Sequence, residues 1–455
     1  MVARQLQLRR TRFTAVLVSV SASALVAGTA LLPVASAEAA TTPVQVGLFG
    51  AQDPTYDGVF RQSLGLLAYA AAGTTPPKDA VGWLLAQQCP DGGFQAFRPS
   101  TTAKCQESDP ATFSGKDTNS TGIAAAALHA IGQTAAANRA RDWVLRAQNA
   151  DGGFPYFVGG DSDANSTAIV LMGTNTADLP PSSVKAKSGV SAAQFLTSLQ
   201  IGCDGAATDD DGGFAFQSFG GPLVDSDAAA VQATLALSGK ALPLAVGTVT
   251  TDVPRATCPS SASPSLGAAE LGAGHLARLL DTFSGAVPQF DYNAGTRIKG
   301  SVSTGDTAWA ALSLAAVGVG RTQLDAALSV LGAQPLKAAA LKGSGAATAA
   351  RATDQPGLLA LAAMATRAAG GSTAAVNAYV VRIGATMRVA PAAVTPTPSA
   401  TTSTATASGT AAAGTDPLAQ SGPTPITPVL GAVGALLVLL GAAAVGTSRR
   451  RGAHA

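Results

Sequence analysis

Aromatic residues are scarce in this chain. Phe, Trp and Tyr make up 5% of 455 residues, too few to wall a large cavity with π faces for cation–π contact. Histidine is scarcer still, at three residues (His129, His275 and His454), and no Cys-x-x-Cys pair occurs. A Cys/His zinc module therefore has little support. An excess of one charge is also lacking: 29 Lys and Arg stand against 27 Asp and Glu. With no basic stripe and no aromatic-interleaved Arg/Lys patch, nucleic acid is not expected as a partner.

What is present is most distinctive at the two ends. Arg9, Arg10 and Arg12 precede an apolar run from Ala15, and Ala35-Ser36-Ala37 supplies a small-residue cleavage signal. Residues 1–40 are therefore expected to be a secretory signal peptide. Residues 390–428 are Thr, Ala, Pro and Ser with almost no charge. Such a segment cannot bury enough apolar surface to offset its ordering entropy and is expected to be a disordered stalk. Residues 429–447 are uncharged and long enough to cross a bilayer, and the basic tail 448–455 places the C-terminus in the cytoplasm by the positive-inside rule. Leu418, Ala419, Gln420, Ser421 and Gly422 precede that span. The order of pentapeptide, apolar span and basic tail resembles a sortase cell-wall sorting signal with Ser421 in place of the usual Thr. The folded part is thus expected on the extracellular face, anchored to membrane or cell wall. An even count of four cysteines in an exported chain favours two disulfides. The pairing is open in the sequence; Cys89–Cys105 and Cys203–Cys258 are favoured because each would close a loop beside a repeat turn.

Between the ends, residues 41–389 form one repeat-built domain. Asp-Gly-Gly-Phe occurs at Asp91, Asp151 and Asp211, a constant spacing of 60 residues. Fixed-period self-similarity is the signature of a repeat architecture. Ahead of each copy lies an amphipathic run ending in Gln, as in ANRARDWVLRAQ from Ala137, whose apolar residues recur at helical spacing. Asp-Gly-Gly-Phe is expected to stop that helix, because Gly takes positive φ without steric cost, with the Phe as a packing plug. A second helix follows, opening on DTNSTGIA at Asp117, DANSTAIV at Asp163 and DSDAAAV at Asp225. Asp, Asn and Ser there can accept from free first-turn N–H groups. Behind each cap the helix is apolar nearly all round, so it is buried on every side. Inner helices are placed near Asp57, Asp117, Asp163, Asp225, Asp306 and Asp354, and outer helices near Lys78, Ala137, Gly189, Ser265, Arg321 and Ser372. Twelve alternating helices predict an all-α α6/α6 toroid with no exposed ends, since an open solenoid would need polar capping repeats. Phe283–Tyr292 is at most a worn copy of the turn.

Gln, then Asp-Gly-Gly-Phe, then an Asp-opened Ala-rich helix resembles the prenyltransferase/squalene-cyclase repeat, from about Asp57 to Met387. The Ala- and Gly-rich composition points to an actinobacterium-like, cell-surface member. Terpene cyclases, protein prenyltransferase β subunits and vitamin B12 carriers of the intrinsic factor/transcobalamin type share that toroid, so the resemblance implies a fold and leaves function to the site. Class II cyclases use the middle Asp of a DxDD motif as a proton donor. Here Asp225-Ser226-Asp227-Ala228 puts Asp227 at that position and Ala228 where the last carboxyl belongs. The prenyltransferase zinc set of Asp, Cys and His has no match at an inner-helix start. Asp161, Asp163 and Asn165 imitate half of a calcium loop but lack its Gly and Glu, and no metal is expected. The B12-carrier resemblance, carried by DTNSTGIA and by DTAWAAL at Asp306, implies a non-catalytic carrier. The function expected is therefore ligand capture at the mouth of the ring, the ligand being a corrinoid such as cobalamin or another hydrophobic cofactor. A surface transporter is a candidate partner. The alternatives are a cyclase-like enzyme with a degenerate motif and a structural or adhesive surface module. The expected ligand-binding residues are Asp117, Asn119, Asp163, Asn165, Tyr156, Phe157, Asp225, Asp227, Asp306 and Trp309. For the Asp and Asn residues the competing role is the N-cap alone. Trp309 discriminates: core packing requires it buried.

Overall fold

The computed structural model describes residues 45–175, 179–202, 208–255, 267–291, 296–333 and 355–390. The expected signal peptide, stalk, sorting pentapeptide and apolar span, together with Cys203, Cys258 and Asp354, lie outside the described residues. No helix among the described residues is long and apolar enough to cross a membrane.

Among the described residues the chain forms twelve α-helices and three two-residue β-hairpins. The inner helices are α1 (Gly58–Ala71), α3 (Thr118–Ala130), α5 (Ala164–Asn175), α7 (Asp227–Leu237), α9 (Thr304–Val317) and α11 (Pro356–Ala368). The outer helices are α2 (Lys78–Gln87), α4 (Thr134–Arg146), α6 (Ala192–Ser198), α8 (Ala268–Thr282), α10 (Arg321–Ala333) and α12 (Thr373–Ala385). Each inner helix packs on the next around the ring, and α11 packs back on α1, so the α6/α6 toroid closes. Burial follows the alternation. In α3 ten residues from Thr118 to Leu128 are buried, whereas α4 buries only Ala136, Ala137, Ala140, Trp143 and Val144, a single stripe. Small residues let the inner helices approach closely: a Cβ on Gly173 would stand 2.5 Å from the Gly122 carbonyl oxygen.

The Asp-Gly-Gly-Phe turns do not cap the outer helices. Helix α2 ends at Gln87 and α4 at Arg146, four residues before Asp91 and five before Asp151. The turns are separate reverse turns, closed by the Cys89 N–H on the Gly93 carbonyl and by the Asn149 N–H on the Gly153 carbonyl. The first Gly is required twice over. At Gly92 φ is +101°, and a Cβ would fall 2.2 Å from the Arg139 carbonyl oxygen of the next outer helix. The Phe is a plug, as expected: Phe94, Phe154 and Phe214 are fully buried. The amides of Phe94 and Phe154 donate to the hydroxyls of Thr121 and Thr167 on the inner helices. The preceding Gln is part of the same joint. Gln88, Gln148 and Gln200 each donate to the turn Gly carbonyl and to a backbone carbonyl in the next outer segment (Ala136, Val184 and Ala268).

Two further copies of the turn carry almost none of the motif. Gly285 has φ +87° against Ala326, and Val287 takes the Phe place, donating to Thr307. The other is made from both ends of the domain. Gly47 has φ +90° and sits against the Asp79 carbonyl. Its amide donates to Arg388, the Arg388 amide donates to Leu48, and Phe49 is the plug, fully buried. Residues 47–49 thus supply, after α12, the turn that the continuous chain supplies elsewhere.

Candidate functional site at the mouth of the ring

After each turn the chain runs outward and returns to open an inner helix. Hairpins β1 (Phe94–Gln95) with β2 (Lys116–Asp117), β3 (Phe154–Pro155) with β4 (Ser162–Asp163), and β5 (Phe290–Asp291) with β6 (Thr296–Arg297) mark these excursions. Each excursion docks on the inner helix of the preceding repeat. The first amides of α3 and α5, Thr118 and Ala164, donate to the Tyr156 and Phe216 carbonyls, and Val59 in the first turn of α1 donates to Ala96. All these inner-helix N-termini therefore face one end, the mouth, under a belt of loops. That belt is also where apolar surface is left uncovered. Of the eleven exposed large apolar residues among the described residues, seven belong to it: Tyr56, Phe113, Val158, Phe219, Val224, Phe290 and Ile298.

Beneath the belt lie buried carboxyl groups. Asp117 caps α3, accepting from the Ser120 amide at 2.6 Å, and Asp163 caps α5, accepting from Ser166 at 2.7 Å. Burial pushes the Asp117 carboxyl up to about 7 and the Asp163 carboxyl up to about 6, against the lowering effect of those bonds. Burial, with both carboxylates near, raises the Tyr156 hydroxyl well above its ordinary value. Asn165 donates to the Ala228 carbonyl and to Gln232 on α7, while its Oδ1 is buried without a hydrogen-bond partner.

The opening of α7 differs from the expectation. The cap is Ser226, accepting from the Ala229 amide, so Asp225 stands one residue before the cap and Asp227 is the first helical residue. The register explains why. The residue before the cap faces the Asp of the preceding turn. Lys116 meets Asp91 at 2.5 Å, and the Ser162 hydroxyl donates to Asp151 at 2.8 Å. In the third repeat that place holds a second carboxylate. Asp211 turns instead to Thr208, and Asp225 is left to find cations elsewhere. It lies 3.5 Å from His275 Nε2 of α8 and accepts from Arg297 of β6 at 2.5 Å. Arg297 also grips both oxygens of Asp227, at 2.8 to 3.2 Å, and reaches Asp210 at 3.9 Å. Burial raises the Asp225 carboxyl to about 6, with Asp227 and Asp210 adding to the rise and His275 and Arg297 opposing it. Hydrogen bonding to Asp227 raises the Arg297 guanidinium further above its ordinary value. At α9 the cap position is Ser303, so Asp306 is the third helical residue; it accepts from the Ser303 hydroxyl at 2.6 Å. Burial, with a contribution from Asp227, raises Asp306 to about 6.

The structure thus brings Asp225 and Asp227 together with Asp306 electrostatically near, and sets Asp117, Asp163, Asn165 and Tyr156 around the neighbouring openings. Asn119 is half-buried at the second position of α3. Phe157 is 8% exposed, edge-on to Tyr156 at 4.6 Å and to Phe113 at 6.2 Å, and Trp309 is 4% exposed within the core. Both stand where packing residues stand. Sequence reasoning missed Arg297 and His275. His275 lies deep inside an outer helix, and that helix presses it onto the Asp225 opening. The available signal was Asp225 itself, a carboxylate where the other repeats carry Lys116 and Ser162. The disulfide Cys89–Cys105 forms as expected.

No known family model and no curated protein matches the chain. Among solved structures it is similar to a protein from Actinoplanes, at 17% identity and TM-score 0.38, over 62% of this chain and 73% of that one. It is similar to ent-copalyl diphosphate synthase from Streptomyces platensis, at 16% identity and TM-score 0.39, over 69% of this chain; it spans 50% of that synthase's length. It is similar to a variant of the type II terpene cyclase MstE from Scytonema in complex with geranylgeranyl dihydroxybenzoate, at 12% identity and TM-score 0.38, over 75% of this chain and 93% of that one. Overlap this loose assigns no residue a role, so the site is read from its own geometry.

Proposed function

We propose that the chain is an α/α-toroid binding protein whose mouth takes an amphipathic ligand of corrinoid or polyprene size, without catalysis, on the outer face of the cell. The observation that carries this is the belt: exposed apolar side chains gather on the loops at the inner-helix openings, over polar groups buried just beneath. Exposed apolar side chains concentrated on one set of loops suit an interaction site, and polar groups below them would fix orientation. Full-length protein titrated calorimetrically with cobalamin and with squalene tests it. Saturable binding of either supports the reading. Heat from neither would overturn it and leave the structural or adhesive alternative.

One observation favours a second reading, a cyclase-like acid. Asp225, in the Asp225-Ser226-Asp227 motif, and Asp306, which feels the charge of Asp227, both carry raised carboxyls. A protonated carboxyl in such a place can donate to an alkene. Against it, Arg297 uses both oxygens of Asp227 as acceptors, so the motif's acid position is engaged in an ion pair. Turnover of a polyprene, lost in Asp225→Asn, would establish the enzyme and displace the binding reading.

A further inference from the structure

The group at the α7 opening contains more than an ion pair. His275 is 1% exposed, and its Nδ1 lies 3.1 Å from the Asp209 carbonyl oxygen. A carbonyl can only accept, so Nδ1 carries a proton, and in the neutral imidazole the lone pair is then on Nε2, directed away from that bond. Nε2 has no hydrogen-bond partner and faces Asp225 Oδ2 across 3.5 Å, while Asp225 Oδ1 is also buried without a partner. An imidazole lone pair set against a carboxylate calls for a positive centre between them. Arg297 donates to the same Asp225 oxygen and to both oxygens of Asp227, and makes no hydrogen bond to Nε2. One guanidinium also serves three carboxylates, of Asp225, Asp227 and Asp210.

We infer that Asp225, Asp227 and His275 form a site for a divalent transition-metal ion of the zinc type, with Arg297 as the competing cation that holds the site closed. Ligand atoms of the three residues all lie within 4.8 Å of one another. Two ligands bound at about 2.1 Å in tetrahedral geometry stand about 3.4 Å apart, and the 3.5 Å between Nε2 and Oδ2 matches. Asp227 closes on the same point once the guanidinium swings out, and Arg297 has the freedom to do so, its side chain being 26% exposed on β6. The backbone carbonyl on Nδ1 is the outer-shell partner that metal-bound imidazoles use to fix their tautomer. One nitrogen and two carboxylate oxygens suit zinc better than magnesium or calcium. No local spacing announces the set, because His275 comes from an outer helix and the carboxylates flank an inner-helix cap. The site stands apart from ligand binding at the belt, since its probe is the metal alone.

The test is a zinc titration of the full-length protein, stripped of metal and of any purification tag, against a chromophoric chelator. His275→Ala, Arg297→Gln and Asp227→Asn are measured beside it, each checked by circular dichroism. One zinc per chain is expected, at least tenfold weaker in His275→Ala and at least tenfold tighter in Arg297→Gln. Zinc binding that appears only in Arg297→Gln also supports the site. Should His275→Ala not fold, weakening in Asp227→Asn supports the site equally. Cobalt(II) in Arg297→Gln should show the visible absorption of tetrahedral nitrogen–oxygen ligation. Equal zinc affinity in the parent, Arg297→Gln and His275→Ala (or Asp227→Asn) would overturn the proposal and leave a proton on Nε2 as the positive centre.

Discussion

Among the described residues five carboxyl groups at the inner-helix openings, of Asp57, Asp117, Asp163, Asp225 and Asp306, are held above the ordinary aspartate value of 3.8 by burial. A group raised in the folded state contributes stability that is fully present below its unfolded value. That stability is lost as the pH climbs through the folded value, because the unfolded chain then ionises more readily. The loss therefore falls between about pH 4 and 7. Asp53, Asp91 and Asp109, whose values are lowered, act in the opposite sense and only below that window. The melting temperature is expected to fall from pH 5 to pH 8. Asp117→Asn, which keeps a capping acceptor, should flatten the upper part of that fall with little change at pH 5. A calorimetric melting series for parent and variant checks it; identical slopes would show that Asp117 ionises normally. At this scale the sequence was partly legible. The caps at Asp117 and Asp163 follow from side-chain chemistry at a helix start. At α7 and α9 the nominal Asp lies one residue before the cap and three after it, because Ser226 and Ser303 take the cap position and free the carboxyls for other contacts.

At the scale of elements, the turn is the unit that repeats. Its first Gly combines a left-handed backbone with a carbonyl where a Cβ would go. Gly92→Ala should cost about 1–3 kcal/mol from the backbone alone, with the clash against Arg139 in addition. Gly82→Ala on the outer face of α2, where a Cβ would meet nothing within 4 Å, should stabilise the helix by about 0.5–1 kcal/mol. Urea unfolding of the two variants should shift the midpoint in opposite directions. The Cys89–Cys105 bridge joins residues separated by 16 positions, so replacing both by Ser should remove up to about 3 kcal/mol. The helix alternation was legible because the inner helices are apolar all round and the outer ones along one stripe. The hairpins were not, since two residues of strand leave no periodicity. The docking of each excursion on the preceding inner helix was equally hidden, because it runs through backbone groups, which every sequence shares.

For the whole molecule, closure is the decisive feature. The ring is completed by α11 on α1 and by a turn assembled from residues 47–49 and Arg388, whose side chain also donates to the Gly50 and Gln52 carbonyls. Gly47→Ala would push a Cβ to 2.1 Å from the Asp79 carbonyl oxygen. It should destabilise the ring as much as Gly92→Ala does, although no motif marks it. A much smaller effect in urea unfolding would mean that the terminal turn is not equivalent to the internal ones. The closed ring also fixes what the mouth presents: one end carries the exposed apolar belt, with the carboxylates and Arg297 beneath it. The most direct test of that account is ligand affinity at the belt. Cobalamin and squalene are titrated into the full-length parent and into the double variant Phe219→Ala, Val224→Ala, residues that are 64% and 75% exposed in the parent. Binding at the mouth predicts an unchanged melting temperature and at least a fivefold loss of affinity for whichever probe binds. Undiminished affinity in the double variant would place the ligand elsewhere on the protein and contradict the account.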